Sequence, residues 1–132
     1  MALWPGGSTD PTFISGPLPD DSNSTTAIDI NNQGQILVGS RGGNNWVWDN
    51  GTITDLPGDP GFTQAQAIND SGIVVGCNGI RAAIWIEGER ISLSKLVEEP
   101  AGLILSCAID INSAGEILAS DESNELWLLR PR

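Results

Sequence analysis

Histidine and tyrosine are absent from the 132 residues, methionine occurs once and phenylalanine twice. Without imidazole there is no ordinary general base near neutral pH and no common transition-metal ligand, which excludes Ser-His-Asp, Cys-His and His-zinc chemistry. Positive charge is scarce: six Lys and Arg face seventeen Asp and Glu, for a formal net charge of −11. Lys95, Arg41, Arg81, Arg90, Arg130 and Arg132 are scattered along the chain. No basic cluster meets a phosphate backbone, so nucleic acid is not an expected partner. Long apolar runs are missing too. Nothing approaches the ~20 residues that span a bilayer. The start, Met1-Ala2-Leu3-Trp4-Pro5-Gly6-Gly7, lacks the basic and apolar regions of a signal peptide. The expectation is a cytoplasmic protein without a membrane partner, export of a longer or processed form staying open. Cysteine is limited to Cys77 and Cys107. They permit one disulfide, but their separation and the missing export signal favour two reduced, buried thiols.

What is present is enough to fold. Hydrophobic residues make up 39% and charged residues 17%, too apolar a mixture for disorder. The length fits one domain, residues 1–132, burying roughly two thirds of its unfolded surface.

The clearest pattern is an internal repeat. Ala27-Ile28-Asp29-Ile30-Asn31-Asn32-Gln33-Gly34-Gln35-Ile36-Leu37 matches Ala108-Ile109-Asp110-Ile111-Asn112-Ser113-Ala114-Gly115-Glu116-Ile117-Leu118 at eight of eleven positions without a gap. A third copy runs from Ala65 to Gly76 and keeps Asn69-x-x-Gly72; the Asn-to-Asn steps are 38 and 43 residues. A tryptophan motif interleaves with it at Leu3-Trp4, Val47-Trp48, Ile84-Trp85 and Leu126-Trp127. Units of about 40 residues punctuated by turn signals indicate a repeated all-β element.

Each unit reads as four short strands. Alternation over Ala27 to Asn31 sets Ile28 and Ile30 on one face and Asp29 on the other. The Asn-x-x-Gly that follows suits a turn closed by a left-handed glycine, which makes a hairpin into Gln35 to Ser40. The tryptophan strand then passes through Asp49-Asn50-Gly51 or Ile86-Glu87-Gly88 into a second hairpin. Pro5 weakens that reading in the first copy. Leu93 to Glu99 is the one segment suited to a helical turn, ahead of Pro100.

The pairing of Ala-x-x-Ile-Asn-x-x-Gly-x-Ile-Val/Leu-x-Gly with a later Trp-x-x-Gly and a Leu-containing strand resembles the bacterial HAF repeat family. The residues that carry the resemblance are Ala27, Ile30, Asn31, Gly34, Ile36, Gly39, Trp48, Gly51 and Leu56, and then Ala65, Ile68, Asn69, Gly72, Val74, Gly76, Trp85, Gly88 and Leu96. The pattern fails at the carboxyl end, where Ser120 and Arg130 stand in place of glycines. The resemblance implies propeller-like blades and no particular activity.

Three Ile-Asn hairpins and four tryptophan strands divide the chain into units of roughly 2–45, 46–82 and 83–125, with 126–132 a closing strand. Three units are fewer than the roughly four to eight blades of propellers. The favoured solution is a homodimer forming a six-bladed ring, Ala2 to Leu18 completing a blade begun by Ala108 to Leu129. The alternative is a monomeric β-trefoil or β-prism.

Function is far less legible. Asn31, Asn69 and Asn112 suit ligand coordination, but the simpler role is capping their own turns. Trp48, Trp85 and Trp127, with Gly34, Gly51, Gly72, Gly88 and Gly115, read as structural positions of the repeat. Trp46 has no counterpart in the second unit, which makes it the candidate exposed aromatic for stacking on a sugar. Asp29 and Asp110 hold equivalent places, with Ala67 between them. If first strands line a channel, these carboxylates converge as a ligand site, the simpler reading being a solvated strand face. The leading function is a non-catalytic binding or assembly module with a small-molecule or glycan ligand and neither cofactor nor metal. The alternatives are a lectin, and a hydrolase working with paired carboxylates alone.

Overall fold

The computed structural model describes residue 14 and residues 25–40, 43–59, 63–98 and 100–131. The expectations for Leu3-Trp4, for Pro5, and for Ala2 to Leu18 as a blade-completing segment lie outside these residues.

The described chain is all-β, as expected. Strands β1 (Thr25–Ile30), β2 (Ile36–Ser40), β3 (Asn45–Asp49) and β4 (Thr52–Leu56) form one sheet, in that order. Strands β5 (Thr63–Ile68), β6 (Val74–Asn78), β7 (Arg81–Ile86) and β8 (Glu89–Ser92) form the second. Strands β9 (Leu105–Ile111), β10 (Ile117–Asp121) and β11 (Leu126–Leu129) form a three-stranded third sheet. All neighbours pair antiparallel. A 3₁₀ turn, Leu93–Leu96, follows β8 where the helical turn was expected. No described helix is long and apolar enough to cross a membrane.

The sheets fall in a different phase from units 2–45, 46–82 and 83–125: each described tryptophan strand is the third strand of a sheet that begins at an Ile-Asn hairpin. Residues 126–129 extend β10 rather than closing another unit. Their register also departs from the repeat. Trp48 and Trp85 lie opposite Ile36 and Val74, but in the third sheet Leu129 takes that position, opposite Ile117. Trp127 lies opposite Ala119, where the first sheet has Trp46 opposite Val38. Trp127 is therefore the partner of Trp46, not of Trp48.

Local chemistry explains the hairpins. Gly34, Gly72 and Gly115 close the β1–β2, β5–β6 and β9–β10 turns at φ of 78°, 80° and 81°, a backbone that costs glycine little. The β3–β4 and β7–β8 turns place two successive residues at positive φ, Asn50-Gly51 and Glu87-Gly88, whose twist matches that of the flanking strands.

Strict alternation in the first strand is overturned. The register slips between Ala27 and Asp29, between Ala65 and Ala67, and between Ala108 and Asp110. A β-bulge at Ile28, Gln66 and Ile109 thus recurs in each sheet. It puts the Ala and the Ile three residues later on one face, as Ala65 and Ile68 share one core cluster and Ala108 and Ile111 the other. Ile28 packs at the edge of a cluster while Ile30 is 63% exposed, so the two do not share a buried face.

The sheets stack face to face with a core in each seam. Leu37, Val47 and Leu56 of the first sheet pack on Ala65, Ile68, Val74, Ala83 and Trp85 of the second. On its other side the second sheet packs Ala67, Val75, Ala82 and Ile84 on Ala108, Ile111, Ile117 and Ala119 of the third. Cys77 and Cys107 are joined across this second seam with their Cα atoms 4.6 Å apart. This corrects the expectation of reduced thiols: stacking opposes two strands whose bulged ladders bring distant residues to bridging range.

Candidate functional site

The candidate residues gather along the seams rather than in a cleft. Asn31 is held at the end of β1 and its Oδ1 accepts the N–H groups of Gln33 (3.0 Å) and Gln35 (2.9 Å). Asn69 does the same for Ser71 (3.1 Å) and Ile73 (2.9 Å), and Asn112 for Ala114 (3.1 Å) and Glu116 (2.9 Å). These are the turn caps of the simpler reading. The same side chains also join sheets: Asn31 Nδ2 donates to the Asn69 carbonyl (2.8 Å), and Asn69 Nδ2 to the Asn112 carbonyl (3.2 Å).

Asp29 and Asp110 do not converge. Asp29 Oδ1 accepts the Ile30 N–H and its Oδ2 the Ile68 N–H of the next sheet, both at 2.9 Å. Asp110 Oδ1 accepts the Ile111 N–H at 2.9 Å. They stand in the first and third sheets with β5 between their strands, and share no hydrogen-bond partner among the described residues. No described cluster of His, Cys, Asp and Glu is suited to hold a metal. Trp46 is 2% exposed and Trp85 1%, which overturns the expectation of an exposed aromatic at Trp46. Its strand turns it onto the Val38 side of the sheet, where it is buried. The Trp85 indole N–H donates to the Pro57 carbonyl at 2.8 Å, which fixes the ring inside the first seam.

The sequence reading missed Asp70. Its Oδ1 accepts the Asn32 backbone N–H and its Oδ2 the Asn32 Nδ2, both at 2.8 Å, and Ser113 Oγ donates to Oδ2 at 3.0 Å. One carboxylate thus ties the turns of all three sheets, and the Asn32 backbone N–H is the main cause that holds its pKa below the usual 3.8. The signal was available, since the residue after each repeat Asn is polar in every copy: Asn32, Asp70 and Ser113. Asn45 was missed as well. It is 5% exposed, donates to the Thr63 carbonyl (2.9 Å) and accepts the Ala65 N–H (3.2 Å). Asp121 caps the β10–β11 turn as the repeat Asn caps the β9–β10 turn: Oδ1 accepts the Ser123 and Glu125 N–H groups (2.8 and 2.9 Å) and Oδ2 the Trp127 indole N–H (2.9 Å).

Beside the first seam lies an open cleft of about 640 Å³ lined by Thr26, Ser40, Asn45, Thr63, Gln64 and Gln66 among others. Its described lining holds hydroxyls and amides, which offer hydrogen bonds. No protein-family model matches this sequence, and no curated protein does.

Proposed function

We propose that the chain is a non-catalytic binding or assembly module whose sheets act as propeller-like blades of the HAF repeat kind. The observation that carries this reading is the use made of the repeat's polar residues. Asp29, Asn31, Asn69 and Asp70 are engaged in holding one sheet to the next, and a carboxylate tied to backbone N–H groups is poorly placed to exchange protons with a substrate. A retaining or inverting hydrolase needs two carboxylates roughly 5 to 9.5 Å apart across a cleft; the described lining beside the first seam holds none, while Asp49 and Glu87 line a second cavity, so Asp49→Asn and Glu87→Gln test that alternative. The Cys77–Cys107 bond favours an oxidising compartment over the cytoplasmic expectation. Removing Asp29 tests the reading. Asp29→Ala leaves the Ile68 N–H without its acceptor and is expected to lower unfolding stability by about 1–3 kcal/mol; an unchanged midpoint refutes the structural role. A second reading, a lectin, is favoured by the hydroxyl- and amide-lined cleft. It predicts that a glycan array gives a hit which Gln64→Ala or Gln66→Ala abolishes.

A further inference from the structure

The two seams inside the chain use the same positions. Each sheet has a trailing face, turned to the sheet that follows, and a leading face, turned to the one before. On the trailing faces, Asp29, Leu37 and Val47 of the first sheet correspond through the ladders to Ala67, Val75 and Ile84 of the second, and to Asp110, Leu118 and Leu128 of the third. Leu37 and Val75 are 0% exposed, and Val47 and Ile84 are 8% and 5%. Their counterparts Leu118 and Leu128 are 37% and 52% exposed, with Leu126 beside them at 66%. An apolar row covered twice within the chain is open the third time.

The polar groups are left over in the same way. Asp29 Oδ2 accepts an N–H of the next sheet, whereas Asp110 Oδ2 has no partner among the described residues. Asn31 Nδ2 donates both to Gln35 of its own turn and to the next Asn carbonyl. Asn112 Nδ2 donates only to Glu116 of its own turn, at 2.9 Å. The first sheet shows the complementary vacancy. Ile30 on its leading face is 63% exposed, against 4% for Ile68 and 8% for Ile111, while Val38 and Trp46 on that face are buried. The matching row, Ile30, Ile36 and Trp48, corresponds to Ile68, Val74 and Trp85 that the first seam covers; in it Ile30 is exposed while Ile36 and Trp48 are half-buried.

We infer that the trailing face of the third sheet docks the leading face of the first sheet of a second copy of this chain. The inference rests on the stacked-blade reading and names its partner. The argument for a second copy is continuity: the two open faces are the two halves of an interface the chain already builds twice. At the junction Asn112 Nδ2 would donate to the Asn31 carbonyl of the other copy, as Asn31 does to Asn69 and Asn69 to Asn112. The Ile30 N–H is already held by its own Asp29, so Asp110 adds a shared acceptor rather than a new one. The faces are unlike, so the contact is head to tail. Two such contacts about a two-fold axis close a ring of six blades without leaving either face open.

The test is solution mass by light scattering at tens of micromolar. The wild type should run at twice 13.9 kDa. Leu118→Arg and Ile30→Arg should each cut the dimer fraction at least tenfold when alone. An equimolar mixture should recover only part of it, because a mixed pair keeps one contact intact while the other joins the two arginine-bearing faces. Should a charged variant fail to fold, Leu118→Ser and Leu128→Ser, which shorten exposed members of the same row without adding charge, should lower the dimer fraction in the same direction. A wild type of 13.9 kDa, a dimer that survives these substitutions, or a mass above two copies overturns the docking. If the wild type is monomeric while Asp29→Ala still lowers the midpoint, the docking alone fails. If Asp29→Ala has no effect, the stacked-blade reading fails first.

Discussion

Asn69→Ala asks how much one seam side chain contributes. Asn69 is 5% exposed, its Oδ1 accepts the Ser71 and Ile73 N–H groups, and its Nδ2 donates to the Asn112 carbonyl. Three hydrogen bonds at roughly 1 kcal/mol net each give a loss of about 3 kcal/mol. Asn112 makes the same two turn bonds but is exposed and holds no further sheet of its own chain, so in the isolated chain water replaces its lost acceptor and Asn112→Ala costs about 1 kcal/mol. Asn69→Asp keeps the turn acceptor, removes the donor and sets a carboxylate oxygen beside the Asn112 carbonyl, for a loss of about 1–2 kcal/mol. Guanidinium unfolding followed by fluorescence of the five tryptophans reads all three, with the m value unchanged. In melting temperature the full loss is about 10 °C for a chain of this size. If Asn69→Ala costs no more than Asn112→Ala, the seam bond contributes nothing and the reasoning is refuted.

Three further outcomes follow from the same geometry. Reducing the Cys77–Cys107 bond, whose partners are 30 residues apart, should cost about 3.5 kcal/mol from loop-closure entropy, read as a shift of the denaturant midpoint with and without reductant. A Cβ on Gly76 would lie 2.1 Å from the Gln64 carbonyl oxygen and 2.8 Å from Ala65 Cα; because backbone cannot give way cheaply, Gly76→Ala should destabilise by about 2 kcal/mol or more, or prevent folding. Asp70 and Asp121 have pKa values below the usual 3.8, held there chiefly by the Asn32 backbone N–H and the Trp127 indole N–H. A depressed folded-state pKa stabilises the fold above the unfolded value and is lost as pH falls through the folded one. Melting temperature should therefore hold down to about pH 4 and drop below it, and Asp70→Asn should flatten that drop.

What the sequence disclosed is what short-range chemistry decides. Asn-x-x-Gly and Asn50-Gly51 announce their hairpins because the capping oxygen and the left-handed residue act within four positions. The bulge at Ile28, Gln66 and Ile109 was not legible, because alternation over five residues looks the same with or without an inserted one. That single slip turned Ile30 away from Ile28 and sent Asp29 toward the Ile68 N–H. Trp127 misled for a related reason: a tryptophan between leucines resembles Val47-Trp48, and only pairing with β10 reveals a shift of two. Asp70 and the cysteine pair depend on which sheet lies against which, and nothing within one unit encodes that.

The fastenings of the two seams differ in kind. The second seam carries a covalent bond between β6 and β9, while the first is fastened by the side chains of Asp29, Asn31, Asn32, Asn45 and Trp85. Opening of the native state is therefore polarised. The first sheet can peel away as a unit with the other two still clasped, so amides of β1 to β4 exchange with solvent hydrogen through a smaller excursion than those of β6 and β9. Reductant removes that asymmetry. Where each sheet packs only on its neighbours, the bond sets the direction in which the stack unravels.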